Sequence, residues 1–174
     1  MAGRGGLLTL AQALESFPTL RFNLDVKAQD AAAPVGRIVA PHGERVLVTS
    51  FSDARRREAL AAAEAAHGGV RPATSAGRSV IARLLLAVTL RSPALARRAL
   101  RGIDAVQIPE RQGRLRVLTP RLLAYAHRSG AEVHVWTVND PADMRRLLAL
   151  GVDGLVTDRA DTALALVDAD KRGA

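Results

Sequence analysis

Apolar and polar positions along this chain follow two rhythms, and the rhythms take turns. Over 21–27 (RFNLDVK) the period is two: Phe22, Leu24 and Val26 fall on one face, and Asn23, Asp25 and Lys27 on the other. That is the spacing of a strand. The run 45–49 (RVLVT) is short and β-branched and predicts a buried strand. Further strands are expected at 70–73, where the signal is weak, and at 104–108, 132–138 and 154–157.

Helical runs separate them, at 10–17, 35–40, 53–66, 77–99, 120–128, 141–150 and 160–170. Their ends carry start and stop residues. Thr9 with Gln12 three residues later makes a capping box, and Ser52 or Asp53 caps the run at 53–66, which Gly68-Gly69 closes. Pro93 forces a break near Ser92. Thr119-Pro120 and Asp140-Pro141 each set a cap before a proline at the first helical position. Gly130 and Gly151 end those two helices.

The count gives six strands, each followed by a helix, at intervals of roughly 20–35 residues. Such repeats predict a parallel α/β arrangement in one domain, 1–174, with a frayed tail at 168–174. An eight-stranded barrel of this kind takes about 200 residues or more. The expected fold is therefore an incomplete (β/α)8 TIM barrel, with about six of eight repeats.

Composition narrows the picture. With 48% of residues hydrophobic, a real core is expected and disorder throughout is not. The chain has no cysteine, which removes disulfides, thiol catalysis and cysteine-bound metal. No apolar run is long enough to span a bilayer, and no secretory leader is read at the start, so a cytoplasmic protein is expected. The net charge of +8 favours anionic partners. Its arginines are scattered, however, dense only at Arg55-Arg56-Arg57 and Arg97-Arg98, and aromatics are few. No nucleic-acid partner is expected.

Barrel chemistry sits where strands end. Asp25 and Lys27 would point into the barrel near its C-terminal mouth, and a carboxylate beside an ammonium suits a divalent cation with a phosphate. An edge strand with a wet face, or a buried Asp–Lys pair without a catalytic role, fits the same residues. Trp136 would share a strand face with His134 and Val138 and could wall a pocket or sit in the core under a loop. His134 reads as a hydrogen-bonded interior histidine, and His42, His67 and His127 as surface residues. Asp158 reads as a helix cap or a loop brace. Ser50, Phe51 and Gln107 could line the same mouth.

Three blocks carry a family resemblance: TLAQALESFPTLRFNLDVK at 9–27, VLVTSFSD at 46–53 and VHVWTVNDPADMRRLLALGVDGLVTD at 133–158, with 106–130 fitting between the last two. In this order they resemble the glycerophosphodiester phosphodiesterases, (β/α)8-barrel hydrolases. The resemblance implies metal-dependent hydrolysis of a glycerophosphodiester to glycerol 3-phosphate and an alcohol. It places Asp25 where the family has a glutamate that binds the metal, Ca²⁺ or Mg²⁺, here weakly held. Lys27 matches the lysine that faces the substrate phosphate, and Trp136 the aromatic of the pocket. Ser50, Phe51 and Gln107 become secondary wall residues. The family also has a His-Arg pair, an Asn-Thr pair, a Glu-x-Asp strand and a His-Asp pair, which include its general acid and base, and no match to these is found here. The six strands then correspond to strands three to eight, and the chain alone is expected to be inactive. The alternative is a non-catalytic barrel fragment that acts as a binding or interaction module, with self-association through open barrel edges, one of them 21–27.

Overall fold

A computed structural model of the protein describes residues 7–66 and 70–173, with side chains as far as residue 168. It forms two compact units, Met1–Arg78 and Ser79–Ala174. The expected helix stop at Gly68-Gly69, His67, and the side chains of the expected tail past residue 168 lie outside the described residues.

In the first unit, β1 (Phe22–Asp25), β2 (Val46–Thr49) and β3 (Ala73–Thr74) make a parallel sheet in that order. Phe22 pairs with Val46, Asp25 with Thr49, and Leu47 with Ala73. The alternation at 21–27 holds. Val26 is buried, and Phe22 and Leu24 pack with it on Leu14, Val39, Val48 and Ala59, while Asn23, Asp25 and Lys27 are exposed. The apolar face meets the helices α1 (Leu10–Ser16), α2 (Ala32–Val39) and α3 (Asp53–Ala65). The capping box of α1 is present: Thr9 Oγ1 accepts from the Gln12 amide at 3.3 Å, and Gln12 Oε1 accepts from the Thr9 amide at 2.9 Å.

Two boundaries differ from those expected. The helix expected from residue 35 starts at Ala32, with Pro34 in its first turn, where a proline has no helical hydrogen bond to lose. Arg45, expected in a strand, ends a 3-10 helix (Ala40–Arg45) instead. Its guanidinium donates to the carbonyls of Leu14 (2.7 Å), Phe17 (3.0 Å) and Leu20 (3.1 Å). The helical partner of the Leu14 carbonyl would be residue 18, a proline without an N–H. Arg45 supplies the missing donor.

The α2–α3 contact is made through backbone. A Cβ on Gly36 would lie 2.1 Å from the Ala59 carbonyl oxygen and 2.8 Å from the Ala62 Cβ. Gly36→Ala is therefore expected to push the two helices apart and lower stability by about 2 kcal/mol. A thermal melt checks it, with an expected drop of about 6 °C; an unchanged midpoint would mean the helices do not cross there.

In the second unit, β4 (Ala105–Pro109), β7 (Glu132–Trp136) and β8 (Gly154–Leu155) form a second parallel sheet in that order. The helices are α4 (Arg78–Thr89), α5 (Pro93–Ala99), α6 (Pro120–Arg128), α7 (Pro141–Leu150) and α8 (Ala160–Gly173). The break near Ser92 is where expected, with the Ser92 hydroxyl accepting from the Leu95 amide at 3.3 Å. Thr119 and Asp140 cap α6 and α7, and Gly151, at φ +93°, ends α7 in the left-handed conformation. A small antiparallel hairpin, β5 (Arg111–Gln112) with β6 (Leu115–Arg116), was not expected. Its strands are two residues long and exposed on every position, so no apolar alternation marks them.

The described residues thus form an α/β protein with eight α-helices and six parallel strands, each strand followed by a helix. The strands make two sheets of three and not one. The weak strand expected at 70–73 is reduced to Ala73–Thr74, and Pro72 just before it has no N–H to give to a ladder. No helix among the described residues is long and apolar enough to cross a membrane.

Candidate functional site

In the first unit, the strand ends gather four of the residues read as site candidates. Asp25 closes β1, and Lys27 follows two residues later on the same side. Lys27 Nζ lies 2.6 Å from Asp25 Oδ2, with the Lys27 side chain 77% exposed. The pair is a wet one and not a buried one, so it contributes at most about 1 kcal/mol to stability. Its ammonium stays reachable by an anion. Ser50 follows β2 and is buried. Its hydroxyl donates to the Val26 carbonyl at 2.7 Å and accepts from the Ser52 amide at 3.2 Å. Arg55 Nη1 reaches the same Val26 carbonyl at 3.2 Å. Ser50 therefore ties the end of β2 to the end of β1. Phe51 is half-exposed, with the Arg78 guanidinium 5.0 Å from its ring centroid.

In the second unit, β4 and β7 place Gln107 opposite His134, and Pro109 opposite Trp136. The Gln107 amide nitrogen lies 3.4 Å from His134 Nδ1, and His134 Nε2 lies 2.9 Å from Glu132 Oε2. That network makes Nδ1 the acceptor and Nε2–H the donor. His134 is the hydrogen-bonded, largely buried histidine the pattern predicted. Its ring also explains Gly154 on the neighbouring strand, where a Cβ would lie 2.7 Å from the imidazole. The other described histidines are bonded as well: His42 Nδ1 to Arg45 at 3.2 Å, and His127 Nε2 to Asp153 at 2.8 Å.

Trp136 ends β7 and borders a cavity of about 380 Å³ with Glu110, Asn139, Asp140 and Asp143. Val138, expected to share a strand face with Trp136, lines the same cavity. The strand stops at Trp136, and Val138 is buried, its amide donating to Val156 at 2.9 Å. The floor of the mouth is braced by Asn139. Its Oδ1 accepts from the Asp158 amide (2.9 Å) and the Thr157 hydroxyl (3.0 Å), and its Nδ2 donates to Asp158 Oδ2 (3.0 Å). Of the two roles read for Asp158, this is the loop brace. The pattern missed the fork of Arg146, which binds both carboxylate oxygens of Glu110 (3.1 and 2.7 Å) and one of Asp143 (2.7 Å). Those hydrogen bonds, Glu110 first, raise the Arg146 pKa above its ordinary value. Asp143 and Arg146 stand three apart on a helix and could have been read as a pair; Glu110, 36 residues from Arg146, could not.

Residues 7–162 match the model of the glycerophosphoryl diester phosphodiesterase family. The chain belongs to this family. A Mycobacterium tuberculosis protein named "Probable glycerophosphodiester phosphodiesterase 2" is 41% identical over 155 residues, covering 88% of this chain and 57% of that protein. Two solved structures share the fold. A glycerophosphodiester phosphodiesterase from Parabacteroides distasonis has TM-score 0.64 at 18% identity, over 93% of this chain and 64% of that one. An Oleispira antarctica phosphodiesterase in complex with the product sn-glycerol-3-phosphate has TM-score 0.61 at 15% identity, over 91% and 60%. The chain spans less than two thirds of the length of each of these relatives.

The family resemblance implies a divalent metal. A Ca²⁺ or Mg²⁺ ion takes six or more oxygen ligands, with several carboxylates among them. Asp25 offers one carboxylate, already bonded to Lys27. No group of three or more histidines, aspartates or glutamates able to hold a metal is found among the described residues. The described residues do not fit a metal centre by themselves.

Proposed function

We propose that residues 1–174 act as one glycerophosphodiester phosphodiesterase-like domain carrying strands three to eight of an incomplete (β/α)8 barrel. The reaction of the whole enzyme is hydrolysis of a glycerophosphodiester, with water adding to phosphorus and the P–O bond to the alcohol breaking. The products are glycerol 3-phosphate and the alcohol. The family match over 7–162 carries this reading. The product bound by the Oleispira antarctica relative supports the substrate class.

In this reading Lys27 binds the phosphate, since its ammonium is exposed and held in place by Asp25. Asp25 stands where the resemblance implies a metal-binding glutamate, and its carboxylate holds the Lys27 ammonium. Trp136 walls the cavity at the end of β7 in the second unit, and Phe51 presents an apolar ring at the end of β2 in the first. Ser50 and Gln107 act from beneath, through the strand-end bonds that fix their neighbours.

Binding tests this without requiring turnover. The 174-residue chain is expected to bind sn-glycerol 3-phosphate in calorimetry or by NMR shifts. Lys27→Ala should weaken that binding by roughly 10-fold, the value of one charge-assisted hydrogen bond. A wild-type chain that ignores glycerol 3-phosphate, or a Lys27→Ala variant that binds it equally well, would remove Lys27 from the site.

A further inference from the structure

Between Glu64 and Asp104 the chain carries seven arginines and no acidic residue. In the second unit this stretch builds α4, α5 and the turn between them. The end of α5 and the residues after it border a concavity of about 760 Å³, with Arg97, Arg98 and Arg101 in its lining. A second concavity of about 270 Å³ shares Arg97 and adds Arg128 from the end of α6. Four guanidiniums therefore surround two adjoining hollows, and Asp104 is the one carboxylate in either lining. Guanidinium forks suit phosphate oxygens.

The α4–α5 stretch also carries apolar side chains where water should disfavour them. Leu86 and Leu90 are 56% and 58% exposed, and Leu95 is 42% exposed. Leu86 and Leu90 are four residues apart at the end of α4, on one side of the helix, with Arg83 three residues earlier. The turn that follows is tight: the Ser92 amide donates to the Ala87 carbonyl at 2.9 Å, and Arg91 takes φ +52°. A left-handed φ is ordinarily a glycine's place. Here it carries a further charge at the tip of the turn.

We propose that the α4–α5 turn and the arginine-lined hollows beside it dock on an anionic lipid bilayer. The leucines enter the boundary between headgroups and acyl chains, and the arginines bind lipid phosphates. Exposed leucine beside concentrated positive charge is the make-up of an interfacial binding surface. Nucleic acid would use the charge and leave the leucines unexplained, since stacking aromatics are missing from this stretch. The hollows lie before β4 and β7, near Asp104 and Gly130, whereas Trp136 stands at the other end of β7. Docking here leaves the Trp136 cavity open to solvent, where water-soluble glycerophosphodiesters are found. The inference goes beyond the proposed phosphodiesterase reading and stands without it.

Flotation of the 174-residue chain with phosphatidylcholine vesicles, with and without phosphatidylglycerol, tests it. Binding is expected to the anionic vesicles, to weaken with added salt, and to be absent on neutral ones. Arg97→Gln with Arg98→Gln and Arg101→Gln should reduce partitioning roughly 100-fold. Leu90→Ser with Leu95→Ser should reduce it roughly 10-fold. All five positions are exposed or at a turn, and glycerol 3-phosphate binding should be the same in every variant. Equal binding to neutral vesicles, no flotation at all, or arginine variants that float like wild type would overturn the proposal. So would tighter capture of duplex DNA than of vesicles with the leucine variant unaffected, which would assign the arginines to nucleic acid.

Discussion

Purified residues 1–174, given glycerophosphocholine with Ca²⁺ or Mg²⁺, are expected to release glycerol 3-phosphate about 10⁴-fold or more below the rate of a complete family enzyme. General acid–base groups contribute about 10²–10⁴ each, and the sequence pattern leads us to expect no counterpart here of the family's paired histidines. The sequence contains four histidines. Three of them are described, and each is bonded to a neighbour, His42 to Arg45, His127 to Asp153 and His134 to Glu132 and Gln107. A coupled assay for glycerol 3-phosphate reads the rate. Turnover in the ordinary enzymatic range, about 1–10³ per second, would show that other residues serve as acid and base. Binding of glycerol 3-phosphate without turnover would fit the second sequence reading, a non-catalytic barrel fragment that acts as a binding or interaction module.

Asp53→Ala is expected to cost the fold more than any change at the proposed site. Asp53 and Arg56 are both buried, with Arg56 Nη2 3.5 Å from Asp53 Oδ1. Burial lowers the Arg56 pKa, and Asp53 opposes that shift. The same Asp53 oxygen accepts from the Gly77 amide at 3.1 Å. Arg56 Nη1 donates to Thr74 Oγ1 at 3.2 Å, and that hydroxyl donates to the Val48 carbonyl at 2.9 Å. Removing the carboxylate leaves a charged guanidinium in the interior with no counter-charge, an effect of about 3–5 kcal/mol. The midpoint of a thermal melt should fall by about 10 °C or more. Adding Arg56→Met should recover part of the loss, because the stranded charge then goes too. A single variant that melts with the wild type would mean the pair is solvated in solution.

The element pattern was readable because each signal acts within a few residues. Thr9 and Gln12, Thr119 before Pro120, and Asp140 before Pro141 all cap helices where they were expected, and the break near Ser92 falls where Pro93 put it. Strand ends were harder. Glu132–Trp136 stops two residues short of its apolar run, and Ala73–Thr74 is a remnant of one. Where a ladder stops depends on the neighbouring strand, which the local pattern does not contain. Arg45 shows the same limit. Its β-branched neighbours suggested a strand, but the residue is committed to carbonyls 25 to 31 positions away.

The candidate site divides in the same way. Residue types and order placed Asp25, Lys27 and Trp136 at strand ends and brought out the family. They could not say that the Asp25–Lys27 pair is exposed, or that Ser50 and Gln107 spend their polar groups inside the fold. By itself, the sequence determined the alternation of strands and helices, the face each residue of β1 presents, and the family. These follow from backbone periodicity, capping and residue order. The tertiary structure decided which charges meet: Asp53 with Arg56 in the interior, Glu110 with Arg146 beside the cavity, and four arginines around the hollows behind α5. Those encounters, apart from the near-neighbour pair of Asp53 and Arg56, join residues far apart in the chain. Even for that pair, it is burial that makes the contact consequential.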